Sequence, residues 1–124
     1  MAEDIKILIV DDSRTSKRIL RNLLESQGYT VVAEAEDGED GFLKYKELKP
    51  DLVTMDITMP KMDGIESLTL IKKMNPDAKV VMITAAGQKE KMVEALKRGA
   101  DEFITKPFDP EEVSTIIKKL TEQK

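Results

Sequence analysis

Apolar residues occur along the chain in five short runs, and each run gives way to polar residues at its end. The runs lie at 7–10, 30–35, 51–56, 79–84 and 103–105. Short, nearly continuous apolar runs predict strands that are covered by helices on both faces, as in parallel sheets, where polar residues are tolerated mainly at strand ends. The second run is less apolar than the others, so we expect its strand nearer an edge of the sheet.

The segments between and after these runs predict five helices. Four of them are preceded by residues that can cap a helix N-terminus, namely Ser13, Asp37, Asp63 and Asp109. Glycine or proline ends the first four, at Gly28, Pro50, Pro76 and Gly99. The positions expected to face the core are, helix by helix, Ile19, Leu20, Leu23 and Leu24; Phe42, Tyr45 and Leu48; Ile65, Leu68, Ile71 and Met74; Met92, Val93 and Leu96; and Val113, Ile116, Ile117 and Leu120. The basic residues of the first helix are expected on its solvent face: Arg14, Lys17, Arg18 and Arg21.

Five alternating strand and helix pairs indicate an α/β fold. Links as short as these force parallel strands with right-handed crossovers. We therefore predict a doubly wound, five-stranded parallel sheet with helices on both faces. A chain of 124 residues suits a single domain with one core, so we expect residues 1–124 to form one domain.

Composition narrows the chemistry that this fold could carry. The chain has 40% hydrophobic and 35% charged residues and a net charge of −4, which suits a folded protein and gives no basic footprint for nucleic acid. Cysteine and histidine are both absent, so disulfides, thiolate or imidazole metal sites and an imidazole base are excluded. No apolar run approaches the roughly 18 residues of a membrane span, so we expect a cytosolic protein.

Chemically active side chains stand at the ends of four predicted strands. Asp11 and Asp12 follow the first, Asp56 the third, Thr84 the fourth and Lys106 the fifth. Parallel strands bring these ends to one edge of the sheet, where ligands collect. An acidic pair suits a hard cation such as Mg²⁺, which needs only one or two protein carboxylates. A carboxylate nucleophile, a divalent cation, an ammonium and a hydroxyl together predict a phosphoryl-transfer site.

Each of these residues also has an ordinary structural explanation when it is considered alone. The Asp pair could be a solvated loop that precedes a helix cap. Asp56 could be a simple strand-end carboxylate or an electrostatic partner of Lys106. Thr84 could be a strand residue, and Lys106 could be a solvated charge. The functional interpretation therefore depends on all of them meeting at one edge.

In this order and spacing, the five motif positions resemble the receiver domain of two-component response regulators, over essentially the whole chain. The resemblance implies a flavodoxin-like (βα)5 fold with strand order 2-1-3-4-5. It also implies that Asp56 is the phosphoacceptor and that Thr84 and Lys106 bind the phosphoryl group. The implied Mg²⁺ ligands are the carboxylates of Asp11, Asp12 and Asp56 and the backbone carbonyl of Thr58.

The resemblance extends to regulation and partners. The resemblance implies that Phe103 fills the aromatic switch position and acts together with Thr84, with an ordinary core residue as the alternative, and that the Lys106-Pro107 bond is cis. The chain looks like the stand-alone, CheY-like regulators of chemotaxis. A sensor histidine kinase would be the phosphodonor, and a monomer would signal through a changed protein-binding surface. Candidate partners are a downstream target such as the flagellar motor switch, and a phosphatase; no nucleic acid or membrane partner is expected.

Two positions bear on the lifetime of the phosphorylated state. Receivers vary two residues after the acceptor and two after the conserved Thr or Ser, here Thr58 and Ala86. Neither offers a long polar side chain that could orient an attacking water, so we expect slow loss of the phosphoryl group and catalysis limited to the protein's own phosphoryl transfer and autodephosphorylation.

Three rival interpretations stay open at the level of sequence. A haloacid-dehalogenase-like phosphatase combines the same residue types, but it expects a second Asp where this chain has Thr58. A flavodoxin-like binding module would need a Ser- and Thr-rich phosphate loop, whereas Asp11 and Asp12 would repel a flavin phosphate. A degenerate receiver would fold without being phosphorylated, and the complete set of motif residues argues against it.

Overall fold

The computed structural model describes residues 5–122, which alternate strictly between strand and helix. The elements are β1 (Lys6–Val10), α1 (Arg14–Ser26), β2 (Thr30–Ala35), α2 (Gly38–Leu48), β3 (Leu52–Asp56), α3 (Gly64–Met74), β4 (Val80–Thr84), α4 (Lys89–Lys97), β5 (Glu102–Thr105) and α5 (Pro110–Thr121). The strands form one sheet in the order β2-β1-β3-β4-β5. Every neighbouring pair is parallel. The predicted doubly wound α/β fold is therefore confirmed, with β2 at an edge.

The sheet separates two apolar layers because successive side chains of a strand point to opposite faces. In β1, Leu8 and Val10 join the layer beneath α2, α3 and α4, whereas Ile7 and Ile9 join the layer beneath α1 and α5. The central strand β3 is buried along its whole length. Apart from Thr54, the residues of β3 that precede Asp56 are apolar, so the charged side chain comes where the strand ends.

The predicted N-caps are confirmed by their hydrogen bonds. The side chains of Ser13, Asp37, Asp63 and Asp109 each accept from a backbone N–H two or three residues further along. These bonds satisfy N–H groups that the first turn of a helix leaves without an intrahelical partner. The fourth helix differs, because Gln88 occupies its N-cap position without capping it.

The sequence pattern misplaced several helix faces. Five positions expected in the core are exposed: Ile19, Leu48, Met74, Val93 and Leu96. Conversely Lys17, expected on the solvent face, is only 8% exposed, and it shares the inward face of α1 with Leu20 and Leu24.

The cause is geometric. The spacing of apolar residues shows which side of a helix is apolar. How much of that side is buried depends on the neighbouring helices and strands that pack against it. A lysine can bury its methylene stem on such a face and still bring its ammonium to water. On α4 only Ala95 is fully buried, so most side chains of that helix are exposed to solvent or only partly covered.

Candidate functional site

Three carboxylates meet at the carboxyl edge of the sheet. One oxygen of each of Asp11, Asp12 and Asp56 lies within 4.8 Å of the others. Asp11 and Asp12 follow β1, and Asp56 is the last residue of β3, the strand beside it. The predicted convergence of these side chains is thus present, and the set offers only hard oxygen donors, which fit a divalent cation such as Mg²⁺.

Asp11 is held from two sides. Its backbone N–H donates to the Ala35 carbonyl at 3.0 Å, and its Oδ1 accepts the Ser13 N–H at 2.8 Å. The other oxygen, Oδ2, lies 3.1 Å from the Lys106 ammonium. The side chain is almost fully buried, so these contacts fix the direction in which its free lone pairs point.

Lys106 brings a positive charge to the cluster from the end of β5. Its Nζ lies 3.6 Å from Asp56 Oδ2, in addition to its contact with Asp11. Its backbone N–H donates to the Thr84 carbonyl at 2.8 Å, which extends the β4–β5 pairing by one residue. The peptide bond from Lys106 to Pro107 is cis, as the resemblance implied.

The surroundings of Asp56 disfavour the charged form of its carboxyl group. Burial and, after it, the negative charge of Asp11 raise its pKa from 3.8 to about 6, although the Lys106 ammonium opposes the shift. The Lys106 ammonium therefore does not offset the combined effect of burial and the neighbouring carboxylates on the pKa of Asp56. A further positive charge beside Asp56 would stabilise the ionised form of its carboxyl group.

Thr84 and Phe103 lie on neighbouring strands. Thr84 is buried at the end of β4, and its register partner on β5 is Thr105. Phe103 pairs with Met82, two residues before Thr84, and packs half-buried against the same apolar layer as Met82. By the alternation of the sheet, Thr84 and Phe103 point to one face. Their roles as a switch pair stay a prediction.

The loop after β3 approaches Asp56 closely at a glycine. A Cβ on Gly64 would stand 1.9 Å from the Asp56 carbonyl oxygen, so the loop can turn here only if this position lacks a side chain. The Gly64 N–H also donates to the Ile57 carbonyl at 2.8 Å. Thr58, whose carbonyl is a predicted metal ligand, is exposed in the same loop.

Sequence reasoning missed Gln88. Its Nε2 donates to the Thr58 hydroxyl at 2.7 Å, and its Oε1 accepts the Ala85 N–H at 2.7 Å. One side chain thereby joins the loop after β3 to the loop after β4. A glutamine next to a helix start carries no pattern by which this contact could have been found.

Among residues 5–122, no helix is both long and apolar enough to cross a membrane.

Comparisons with known proteins agree with this geometry. The chain is 45% identical over 116 residues to the chemotaxis protein CheY of Thermotoga maritima, covering 94% of this chain and 97% of that protein. It is 46% identical over 114 residues to CheY of Bacillus subtilis, covering 92% and 95%.

Solved structures give the same relationship. The crystal structure of the CheX-CheY-BeF3-Mg²⁺ complex from Borrelia burgdorferi contains a chain with a TM-score of 0.88 and 39% identity, covering 94% of this chain and 88% of that one. The response regulator domain of Thermotoga maritima CheB matches with a TM-score of 0.84 and 36% identity, covering 97% and 96%. Residues 7–118 match the family described as response regulator receiver domain. The chain belongs to the response regulator receiver domain family.

Proposed function

We propose that this protein is a phosphorylation-activated switch of a two-component system and that Asp56 accepts the phosphoryl group from a sensor histidine kinase. The observation that carries the proposal is the position of Asp56, which ends the central strand within 4.8 Å of two further carboxylates and 3.6 Å from the Lys106 ammonium. A nucleophile placed among these groups has the surroundings that phosphoryl transfer needs.

Asp56 would act as the nucleophile. One of its carboxylate oxygens attacks phosphorus, the bond from phosphorus to the kinase imidazole nitrogen breaks, and the imidazole leaves with that electron pair. The product is an acyl phosphate on Asp56. The attacking group must be ionised, and a pKa of about 6 leaves most of it ionised at pH 7.5.

Two further residues would hold the phosphoryl oxygens. Lys106 already lies between Asp11 and Asp56, so its ammonium needs to move only a short way to pair with a phosphoryl oxygen. Thr84, at the end of the next strand, would donate a hydrogen bond from its hydroxyl. Both contacts place positive charge or a donor where negative charge accumulates.

The acidic cluster would hold Mg²⁺. The ligands would be the carboxylates of Asp11, Asp12 and Asp56 together with the Thr58 carbonyl. When bound, the ion supplies charge neutralisation for the incoming phosphoryl oxygens. The donor set fits this ion because it consists of carboxylate and carbonyl oxygens alone, and three carboxylate oxygens lie within 4.8 Å of one another.

Output would come from a changed binding surface. The exposed apolar residues Val93 and Leu96 of α4 lie near the β5 residue Phe103 in sequence, and none of the three is fully buried. Movement of Thr84 toward a phosphoryl group, followed by Phe103, would alter this surface. Because the relatives are chemotaxis proteins, we propose a chemotaxis target such as the flagellar motor switch and a separate phosphatase as partners.

Neither of the two rivals outside the receiver family has a supporting observation, and the labelling test with acetyl phosphate decides against or for a degenerate receiver. A haloacid-dehalogenase-like phosphatase and a flavodoxin-like module are both disfavoured by membership in the receiver family. We propose accordingly that the chemistry of this chain is limited to its own phosphorylation and slow dephosphorylation.

The test is phosphorylation with acetyl phosphate and Mg²⁺, read by intact mass. Wild type should gain one phosphoryl group and Asp56→Asn none. Asp51→Asn is the matched control, because Asp51 precedes the same strand at its opposite end and is exposed. This control should label as wild type does. Equal labelling of Asp56→Asn would exclude Asp56 as the acceptor.

A further inference from the structure

The side chain of Gln88 spans the two loops that flank the site. Through its amide it joins the Thr58 hydroxyl and the Ala85 N–H, each at 2.7 Å. We call these three residues the Gln88 clasp. Thr58 lies two residues after Asp56, and Ala85 directly follows Thr84. The clasp therefore ties the loop of the proposed acceptor to the loop of the proposed phosphoryl-binding threonine.

The clasp takes the place of a helix cap. Each of the other four helices has a side chain that accepts an N–H of its first turn, whereas Gln88 makes no such bond to α4. The Gln88 amide is engaged across the loops instead. The Gln88 carbonyl accepts the Met92 N–H at 2.9 Å, so the backbone starts α4 in the usual way, while the Gln88 side chain holds the preceding loops instead of capping the helix.

The helix that follows is held on the domain by few buried side chains. Of the nine residues of α4, only Ala95 is fully buried, and Val93 and Leu96 are about half exposed. Segments with few buried apolar contacts are those that open and move most readily. A restraint at the start of α4 therefore adds directly to what holds the loop at 85–88 in place.

We propose that Gln88 is a positioning residue that restrains the loop after β4 and the start of α4, and so limits how readily Thr84 moves toward a phosphoryl group on Asp56. The restraint on the loop follows from the contacts of Gln88 alone, whereas its effect on Thr84 rests on the function proposed above. Removing the clasp should free the loop and favour the phosphorylated arrangement.

The size of the effect follows from the bonds that are lost. A neutral hydrogen bond that competes with water contributes on the order of a two- to ten-fold change in an equilibrium. Exposure of the clasp to solvent favours the lower part of that range. We expect roughly a three- to ten-fold effect when both bonds of Gln88 are removed.

The test compares variants that break the clasp with variants that keep it. Gln88→Met has the same length, no hydrogen-bond donor and only a weakly accepting sulfur, and Thr58→Val removes the hydroxyl with little change of shape. Thr58→Ser keeps a hydroxyl. Gln27→Met is the same substitution elsewhere, since Gln27 donates to the Pro110 carbonyl, away from the clasp.

The first measurement is amide hydrogen exchange, with no phosphodonor present. Exchange at 85–97 should be roughly three- to ten-fold faster in Gln88→Met. It should be faster to a smaller extent in Thr58→Val, and no faster in the double variant than in Gln88→Met alone. Thr58→Ser and Gln27→Met should keep the wild-type exchange rates in this segment. Unchanged exchange in Gln88→Met would refute the restraint of the loop by Gln88, whether or not Asp56 accepts a phosphoryl group.

The second measurement is the affinity for beryllofluoride with Mg²⁺. Gln88→Met should bind it roughly three- to ten-fold more tightly than wild type. General damage to the fold would weaken binding, so tighter binding together with a lower or equal urea midpoint distinguishes positioning from structural support. Unchanged or weaker binding would overturn the proposed restraint on Thr84. If wild type neither binds beryllofluoride nor accepts a phosphoryl group, the proposed function is wrong. The exchange measurement still shows whether Gln88 restrains the loop.

Discussion

Replacing Asp56 by Asn should stabilise the fold at neutral pH. Asp56 is buried beside Asp11, and this environment raises its pKa from 3.8 to about 6. A carboxyl group that resists ionisation in the folded state opposes folding whenever the pH forces it to ionise. Asparagine has nearly the same shape without the charge. Lys106 is not stranded by the substitution because it keeps its 3.1 Å contact with Asp11.

The magnitude and its sign follow from proton linkage. Below about pH 4 the group is protonated in both the folded and the unfolded chain, so it contributes no difference. Between pH 4 and 6 the folded chain binds more protons, and stability therefore falls as the pH rises through this window. From 3.8 to about 6 the difference is about 2 pKa units, which at ~1.4 kcal/mol per unit gives about 3 kcal/mol as an upper value. Since the cluster can relax, we expect a gain of about 2 kcal/mol for Asp56→Asn at pH 8.

Urea unfolding followed by circular dichroism at pH 4 and pH 8, without divalent cations, measures this difference. The gain should be near zero at pH 4 and full at pH 8, and carboxylates remote from Asp56 cancel because both proteins contain them in the same surroundings. Added Mg²⁺ should narrow the gap at pH 8, because the ion binds the wild-type carboxylates more tightly. An Asp56→Asn protein that is no more stable than wild type at pH 8, or that gains as much at pH 4, would refute the reasoning.

Three further predictions concern one position and two pairs of positions. Thr54 is buried in β3, and its hydroxyl has no partner among the described residues, so Thr54→Val should raise the free energy of unfolding by about 1 kcal/mol; a loss in urea unfolding would contradict this. The Lys72 ammonium contacts Asp101 at 2.9 Å in a partly buried pair, so Lys72→Met should cost about 2 kcal/mol and Asp101→Asn should restore part of it, whereas additive losses would argue against coupling. Restoring polar side chains with Thr58→Asn and Ala86→Glu should speed dephosphorylation roughly ten-fold, and a wild type that already decays as fast as the double variant would exclude slow hydrolysis.

The sequence alone was enough to predict the strands and helices and the edge of the sheet at which the reactive side chains meet. Nearly continuous apolar runs specify strands buried on both faces, and capping residues specify helix starts, because both signals act over a few neighbouring residues. The polar residues at the strand ends needed only the parallel arrangement to meet. Asp56 and Lys106 are 50 positions apart in sequence, yet their convergence could be predicted from this logic. The strand order came from the family resemblance, because periodicity does not encode which strands are neighbours.

Tertiary structure decided what depends on neighbours that are distant in sequence. The spacing of apolar residues on α1 and α4 could not reveal that Lys17 would be covered while Val93 and Leu96 would stay exposed, since burial requires a partner surface. The raised pKa of Asp56 depends on burial and on Asp11, 45 positions away in sequence. The contact of Gln88 with Thr58 exists only because parallel pairing of β3 and β4 brings their two loops together. Charge interactions and hydrogen bonds of this kind follow from distances in space, which a linear pattern of residue types does not contain.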